Sequence, residues 1–234
     1  TNIIFMKINF TFKQFIVKNL FAKLVFMLTA ILFMGLTLSI LIEIGWGTDP
    51  ASFMNLNVAN FFGWTLGNSQ VFDYMILFVI TILFGAQMIG FGTLANMFLI
   101  GYIADFFRFI WKLTGFSSFI ANSSIGVTVL IFVLTLILFV FACSVYMNSK
   151  LGVAPYDACP IIISNALPNV PSFLIRILFD FLAVGIGLLT GLLSKTGIQG
   201  SALGSVCMCI MLGPTISFVG KIMKKLFPIF SDSE

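Results

Sequence analysis

Polar and apolar positions fall along this chain in long blocks, without the alternation of a half-buried strand or the stripe of a soluble helix. Apolar runs of roughly 18 residues or more with few or no charges, enough to cross a hydrocarbon core, predict spans at 24–42, about 71–89, about 93–112, 126–148, 173 to about 193 and about 201–220. The uncharged stretch from Tyr74 to Ala104 is too long for one helix, and Gly90-Phe91-Gly92 divides it. Pro214 removes a backbone donor and predicts a kink in the last span. The lysines ahead of the first span look like the start of a signal peptide. The apolar run is too long for one, however, and no A-x-A-type cleavage site follows, so an uncleaved helix is expected.

Two apolar segments of about a dozen residues are too short to span. One follows Gly47-Thr48-Asp49-Pro50, and the other follows Gly152-Val153-Ala154-Pro155-Tyr156-Asp157. Glycine followed by proline suits a turn that leads into the first turn of a helix, so each is predicted to be a short, re-entrant half-helix. The likeness extends into an internal repeat. Gly47 and Pro50 match Gly152 and Pro155 at an offset of 105, Phe72-Asp73-Tyr74 matches Phe179-Asp180-Phe181 at 107, and Gly92-Thr93 and Gly101 match Gly204-Ser205 and Gly213 at 112. Each half reads as span, Gly/Pro turn, short helix, span, Gly turn, span. Three spans per half is an odd number, so the halves are expected to be inverted relative to one another. The expected fold is an all-α polytopic membrane protein of about six transmembrane helices, built as two inverted three-helix repeats, each with a short half-helix after its first span.

Composition strengthens the membrane assignment. Of 234 residues, 60% are hydrophobic and 9% charged, against about 25% charged in soluble domains. The chain has no histidine, which excludes His-based zinc sites, Ser-His-Asp triads and His proton relays. The four cysteines, Cys143, Cys159, Cys207 and Cys209, sit in apolar sequence without metal or redox spacing. No metal, no cofactor and no catalytic residue is expected, and the protein is not expected to be an enzyme. There is no basic stripe, only lysines flanking apolar spans, so nucleic acid is not an expected partner. With the N-terminus inside, nine basic residues (Lys7, Lys13, Lys18, Lys23, Lys150, Arg176, Lys221, Lys224 and Lys225) face the cytoplasm and three (Arg108, Lys112 and Lys195) face out. This positive-inside bias predicts cytoplasmic N- and C-termini.

The order of landmarks, with "GTDP" or "LGVAPYDA", a short helix, then "GFGT" and "LIG" ahead of "YIAD", resembles the YczE/YitT group of bacterial integral membrane proteins over about residues 24–220. The resemblance implies a bacterial inner-membrane location and a duplicated helical core, and names no activity. Asp157 stands where the resemblance expects an acid after the motif proline. The first half has Ser52 there and carries its acid earlier, at Asp49, and "ALGS" replaces "GFGT" in the second half.

On this basis residues 1–23 are expected to form a basic interfacial segment, 24–112 and 113–220 the two membrane repeats, and 221–234 a cytoplasmic tail. A charge near the bilayer centre costs roughly 2.5–3.5 kcal/mol, so the deep acids carry the interest. Asp105 has Arg108 at i+3 and Asp180 has Arg176 at i−4, each pair on one helix face. They are ion pairs that fix helix rotation, or guanidinium donors for an anionic solute, or carboxylates that couple a proton or cation. Asp73 is the repeat counterpart of Asp180. Asp49 and Asp157 stand at the half-helix N-termini, where they cap the helix or border a solute, beside Tyr156 and the motif turns Gly47, Pro50, Gly152 and Pro155. The GxxxG spacings of Gly187 with Gly191 and Gly200 with Gly204 allow close helix approach or a homodimer. Trp46, Trp64 and Trp111 fall near span ends as interfacial anchors.

The expected function is a transporter or permease-like protein for a small polar or anionic solute, with membrane lipid as its other partner. Alternatives are a substrate-binding membrane subunit of a larger importer, or a non-transporting scaffold or chaperone. A polar cavity that reaches both Arg176 and the Gly47–Pro50 turn would favour the first.

Overall fold

The computed structural model describes residue 15 and residues 17–226. The interfacial segment expected over 1–23 and the tail over 221–234 therefore fall largely outside the described residues. These contain helices α1 (Leu20–Ile44), α2 (Pro50–Phe62), α3 (Leu66–Gly85), α4 (Phe91–Thr114), α5 (Phe116–Asn122), α6 (Ile125–Asn148), α7 (Pro155–Ala166), α8 (Ser172–Leu193) and α9 (Ala202–Leu226), with a 3-10 turn at Ala86–Met88. Six of them, α1, α3, α4, α6, α8 and α9, are long and apolar enough to cross a membrane. The chain is thus an all-helical, multi-pass membrane protein.

α1 and α6 are apolar all round, which a helix set between other helices and lipid requires. α1 forms the centre, with Met27, Ile31, Leu38 and Leu41 almost inaccessible. It runs parallel to α4, with Gly35 against Ile100 and Ile103 and Glu43 near Arg108. α6 runs parallel to α9, where Ser144 donates to the Ile216 carbonyl and Asn148 to that of Gly220. α1 and α6 are antiparallel. The Tyr146 hydroxyl near the end of α6 donates to Gly92, which sits beside Met27 near the start of α1, and at the other end Trp46 meets Phe132. The start of α1 and the end of α9 consequently lie at the same end of the bundle.

The short helices cross over. α2 packs parallel to α8, with Gly187 against Phe53 and Gly191 against Asn57, and α7 packs on α3, with Gly85 against Ile162. Gly187, Gly191 and Gly204 thus find their close neighbours within the chain. Three local details depart from the sequence expectation. α3 begins at Leu66, five residues early; α5 is an added short connector; Lys23, expected in a flanking segment, is buried inside α1. Pro214, where a kink is expected, lies inside α9.

Candidate functional site

The two Gly/Pro turns are built alike. Gly47 has φ +132° and Gly152 φ +112°, backbone that residues with a Cβ rarely adopt. Both turns press against the backbone at the start of a long helix. Gly47 lies on Gly204 and Ser205, and Gly152 on Gly90 and Thr93. Hydrogen bonds fasten both contacts. The Thr48 amide donates to Ser205 Oγ at 3.2 Å, the Gly92 amide to the Leu151 carbonyl at 2.7 Å, and the Val153 amide to the Met88 carbonyl at 2.9 Å. Pro50 and Pro155 then occupy the first helical position of α2 and α7, where a missing N–H costs nothing. Because α2 and α7 lie on the partner half's helix, their N-termini end up facing one cavity.

That cavity has a volume of about 560 Å³, within the range of small-molecule sites. Its deep end is lined by Asp49, Pro50, Tyr74, Tyr156, Asp157, Arg176 and Asp180, and its other end by Asn148 at the end of α6, Lys150 just after it, and Lys221 and Lys224 on α9. It therefore reaches both Arg176 and the end of the Gly47–Pro50 turn.

At the deep end one guanidinium joins two helices. Arg176 Nη1 donates to Asp157 Oδ1 on α7 at 2.6 Å, and Nε donates to Asp180 Oδ2 one turn along α8 at 3.2 Å. The Tyr156 hydroxyl donates to the other oxygen of Asp180 at 2.8 Å. The guanidinium stands 5.5 Å from the Tyr156 ring centroid, within cation–π range, and Tyr74 stacks on that ring at 6.4 Å. Asp180 is 5% exposed at its side chain, against 41% for Arg176. The buried acid is held from two sides while part of the arginine remains open to the cavity. Asp49 Oδ2 accepts from the Ser52 amide at 3.1 Å and caps α2. Its sequence counterpart differs: α7 has no side-chain cap, and Asp157 is taken by Arg176.

The other sequence candidates lie elsewhere. Asp105 accepts from the Leu66 and Gly67 amides at 3.2 and 2.8 Å and so secures the first turn of α3. Arg108 stands 4.0 Å from Asp105 but 3.4 Å from Glu43 on α1, so its shorter contact ties α4 to α1. Both line a separate depression of about 380 Å³ with Trp64 and Lys112, and Arg108 and Arg176 do not share a site. Asp73 follows Ser69 by one turn of α3 and does not line the large cavity.

Sequence reasoning missed Glu43, Gln70, Tyr74 and the α6–α9 lining. One compositional signal points to the site. The chain has 29 Phe but only 4 Tyr, and Tyr74, Tyr146 and Tyr156 are all buried and line the cavity. Among so many phenylalanines, the phenols of Tyr146 and Tyr156 mark places where a hydroxyl finds an acceptor, the Gly92 carbonyl and Asp180.

Over 119 residues the chain is 28% identical to the "Uncharacterized membrane protein YczE" of Bacillus subtilis (strain 168). The match covers 51% of this chain and 52% of that protein, so the chain spans about half the length of this relative. No solved structure matches. The model of a family of unknown function, DUF6198, matches residues 21–221, nearly the whole described core, and the chain belongs to this YczE-type family of membrane proteins.

Proposed function

We propose that the protein is a transporter or permease-like carrier for a small polar solute in a bacterial inner membrane, built as two inverted three-span repeats. The observation that carries this is a cavity bordered by the N-termini of two half-helices, each docked on the opposite half, the arrangement that inverted-repeat transporters use for their solutes. Three packing features support the inversion. α1 and α6, first spans of their halves, run antiparallel; each first span runs parallel to the last span of its own half; and Gly47 meets Gly204 as Gly152 meets Gly90. The two halves also differ in a way that fits one open and one closed pathway. On one side the cavity extends between α6 and α9. On the other, α1 and α4 are closed by Gly35 on Ile103, by Trp111 Nε1 donating to Ser39 Oγ at 2.8 Å, and by Glu43 with Arg108.

The open end carries Lys150, Lys221 and Lys224, and the positive-inside bias makes that end, with both termini, cytoplasmic. The anionic solute considered from sequence loses support, because the single Arg176 charge is already matched by two carboxylates, Asp157 and Asp180, to which Nη1 and Nε donate. A scaffold role has no use for the polar cavity. Alternating access would exchange the two pathways and carry the solute across without chemistry at the site.

The experiment is solute exchange in proteoliposomes containing the purified full chain, screened with labelled small polar solutes of both charges. Saturable exchange above that of protein-free vesicles is expected for at least one class. Flux that stays at the protein-free level for every class, with the protein folded, overturns the transport proposal.

A further inference from the structure

The deep end of the cavity holds three carboxylates, Asp49, Asp157 and Asp180, and one guanidinium, Arg176. The N-termini of α2 and α7 add about half a positive charge each, which leaves roughly one negative charge uncompensated. Asp49 lies within electrostatic range of Asp157 and Asp180, and among the described residues it has no cationic partner. The lysines at the cavity mouth, Lys150, Lys221 and Lys224, are exposed, where water and salt screen them within about 8 Å.

A second observation points into the same space. Tyr74 is 7% exposed and lines the cavity, yet no group among the described residues hydrogen-bonds its hydroxyl. Buried tyrosines ordinarily find a partner for that group. The Tyr74 ring lines the cavity beside Tyr156, whose own ring already carries Arg176, and Met34, Cys143 and Met208 supply soft apolar wall to the same cavity.

We propose that this end of the cavity binds a small organic monocation, an ammonium or guanidinium group on an apolar body, with Asp49 as counter-ion, the Tyr74 hydroxyl as acceptor and the Tyr74 ring against the body. It rests on the cavity being the solute site and names the class of solute. A carboxylate plus an aromatic face is the pairing that holds a cation after it has shed its water. An anion would meet Asp49 and find Arg176 already bridged.

The test compares benzylammonium with benzoate, which share a shape and differ in charge. Binding to the purified full chain in lipid nanodiscs is measured by calorimetry. Benzylammonium is expected to bind at least about tenfold more tightly than benzoate, a difference of about 1.4 kcal/mol. Asp49→Asn and Asp49→Ser both retain a good N-cap for α2, and should lower benzylammonium affinity about tenfold with unfolding temperature unchanged. Tyr74→Phe should lower it severalfold. Tighter or equal binding of benzoate, no binding of either compound, or an Asp49→Asn variant that binds as before overturns the proposal. The two proposals fail separately. Benzylammonium binding without exchange in proteoliposomes removes transport and leaves the cation site, whereas exchange confined to anions removes the cation site and leaves transport.

Discussion

Arg176→Ala is expected to lower stability by about 3 kcal/mol, the low end of the cost of leaving a buried charge without its partner, and to abolish solute exchange. Asp180 has a side chain 5% exposed and takes its charged hydrogen bond from Arg176 Nε. Without the guanidinium it retains only the Tyr156 hydroxyl. The low end applies because Arg176 is 41% exposed to the cavity, so water can enter and solvate what remains. Arg176 also joins α7 to α8, since Asp157 and Asp180 sit on different helices. Removing it frees the α7 N-terminus that borders the cavity. Arg176→Lys should recover part of the stability but little of the exchange. An ammonium on a flexible stem supplies the charge without the planar fork that meets two carboxylates at once. Asp105→Ala is the contrast. It removes a cap from α3, should cost about 1 kcal/mol, and should leave exchange intact, since Asp105 lies outside the cavity. Chemical denaturation in detergent and exchange in proteoliposomes read the two effects independently. Equal loss of exchange in the Asp105 and Arg176 variants at matched stability would show that Arg176 has no special role.

Gly204→Ala should be as damaging to the fold, by about 3 kcal/mol, the upper end of ordinary overpacking costs. A Cβ on Gly204 would collide with the Trp46 carbonyl oxygen and crowd Gly47 Cα at 3.2 Å. Both obstacles are backbone, so no rotamer change relieves them. To make room, the Gly47 turn must leave α9, which breaks the Thr48–Ser205 hydrogen bond and moves Asp49 and Pro50 away from the cavity. Gly90→Ala should reproduce the loss, because its Cβ would strike the Leu151 carbonyl in the corresponding contact of the other half. Gly126→Ala and Gly185→Ala are the controls. No atom outside its own helix lies within 4 Å of either position, and alanine in a helix gains about 0.5–1 kcal/mol over glycine. Unfolding temperatures of the four variants measure the contrast. Gly204→Ala as stable as Gly126→Ala would mean that the two turns do not dock as described.

The elements that the sequence disclosed are those governed by local chemistry. Apolar length with few charges marks the six spans, and Gly47, Pro50, Gly152 and Pro155 mark the half-helices, because backbone geometry limits which residues fit such turns. The early start of α3 was hidden. Asn68, Ser69 and Gln70 look like a loop, but Asp105 secures the Leu66 and Gly67 amides from another helix and Gln70 donates to the Asn96 carbonyl. Spacing on one helix joined Arg108 to Asp105, whereas the shorter contact is to Glu43, 65 residues away. Within α8 the same rule did hold, since Arg176 and Asp180 do pair. It could not reveal Asp157 as the second partner, because that contact depends on where α7 docks. The crossing of each short helix onto the opposite half follows from packing at Gly85, Gly187 and Gly191, and glycine spacing by itself does not say which chain segment fills the groove.

In the proposed alternating-access cycle α1 and α4 part when α6 and α9 close, so that one cavity serves both sides. Spin labels at Ile42→Cys on α1 and Leu113→Cys on α4, in a background lacking Cys143, Cys159, Cys207 and Cys209, report on the closed side. Pulsed-dipolar distances in nanodiscs, with and without benzylammonium, are predicted to resolve two populations, one short as in this structure and one longer, whose ratio changes with ligand. A single short distance under every condition, in protein that still binds the ligand, would contradict the account.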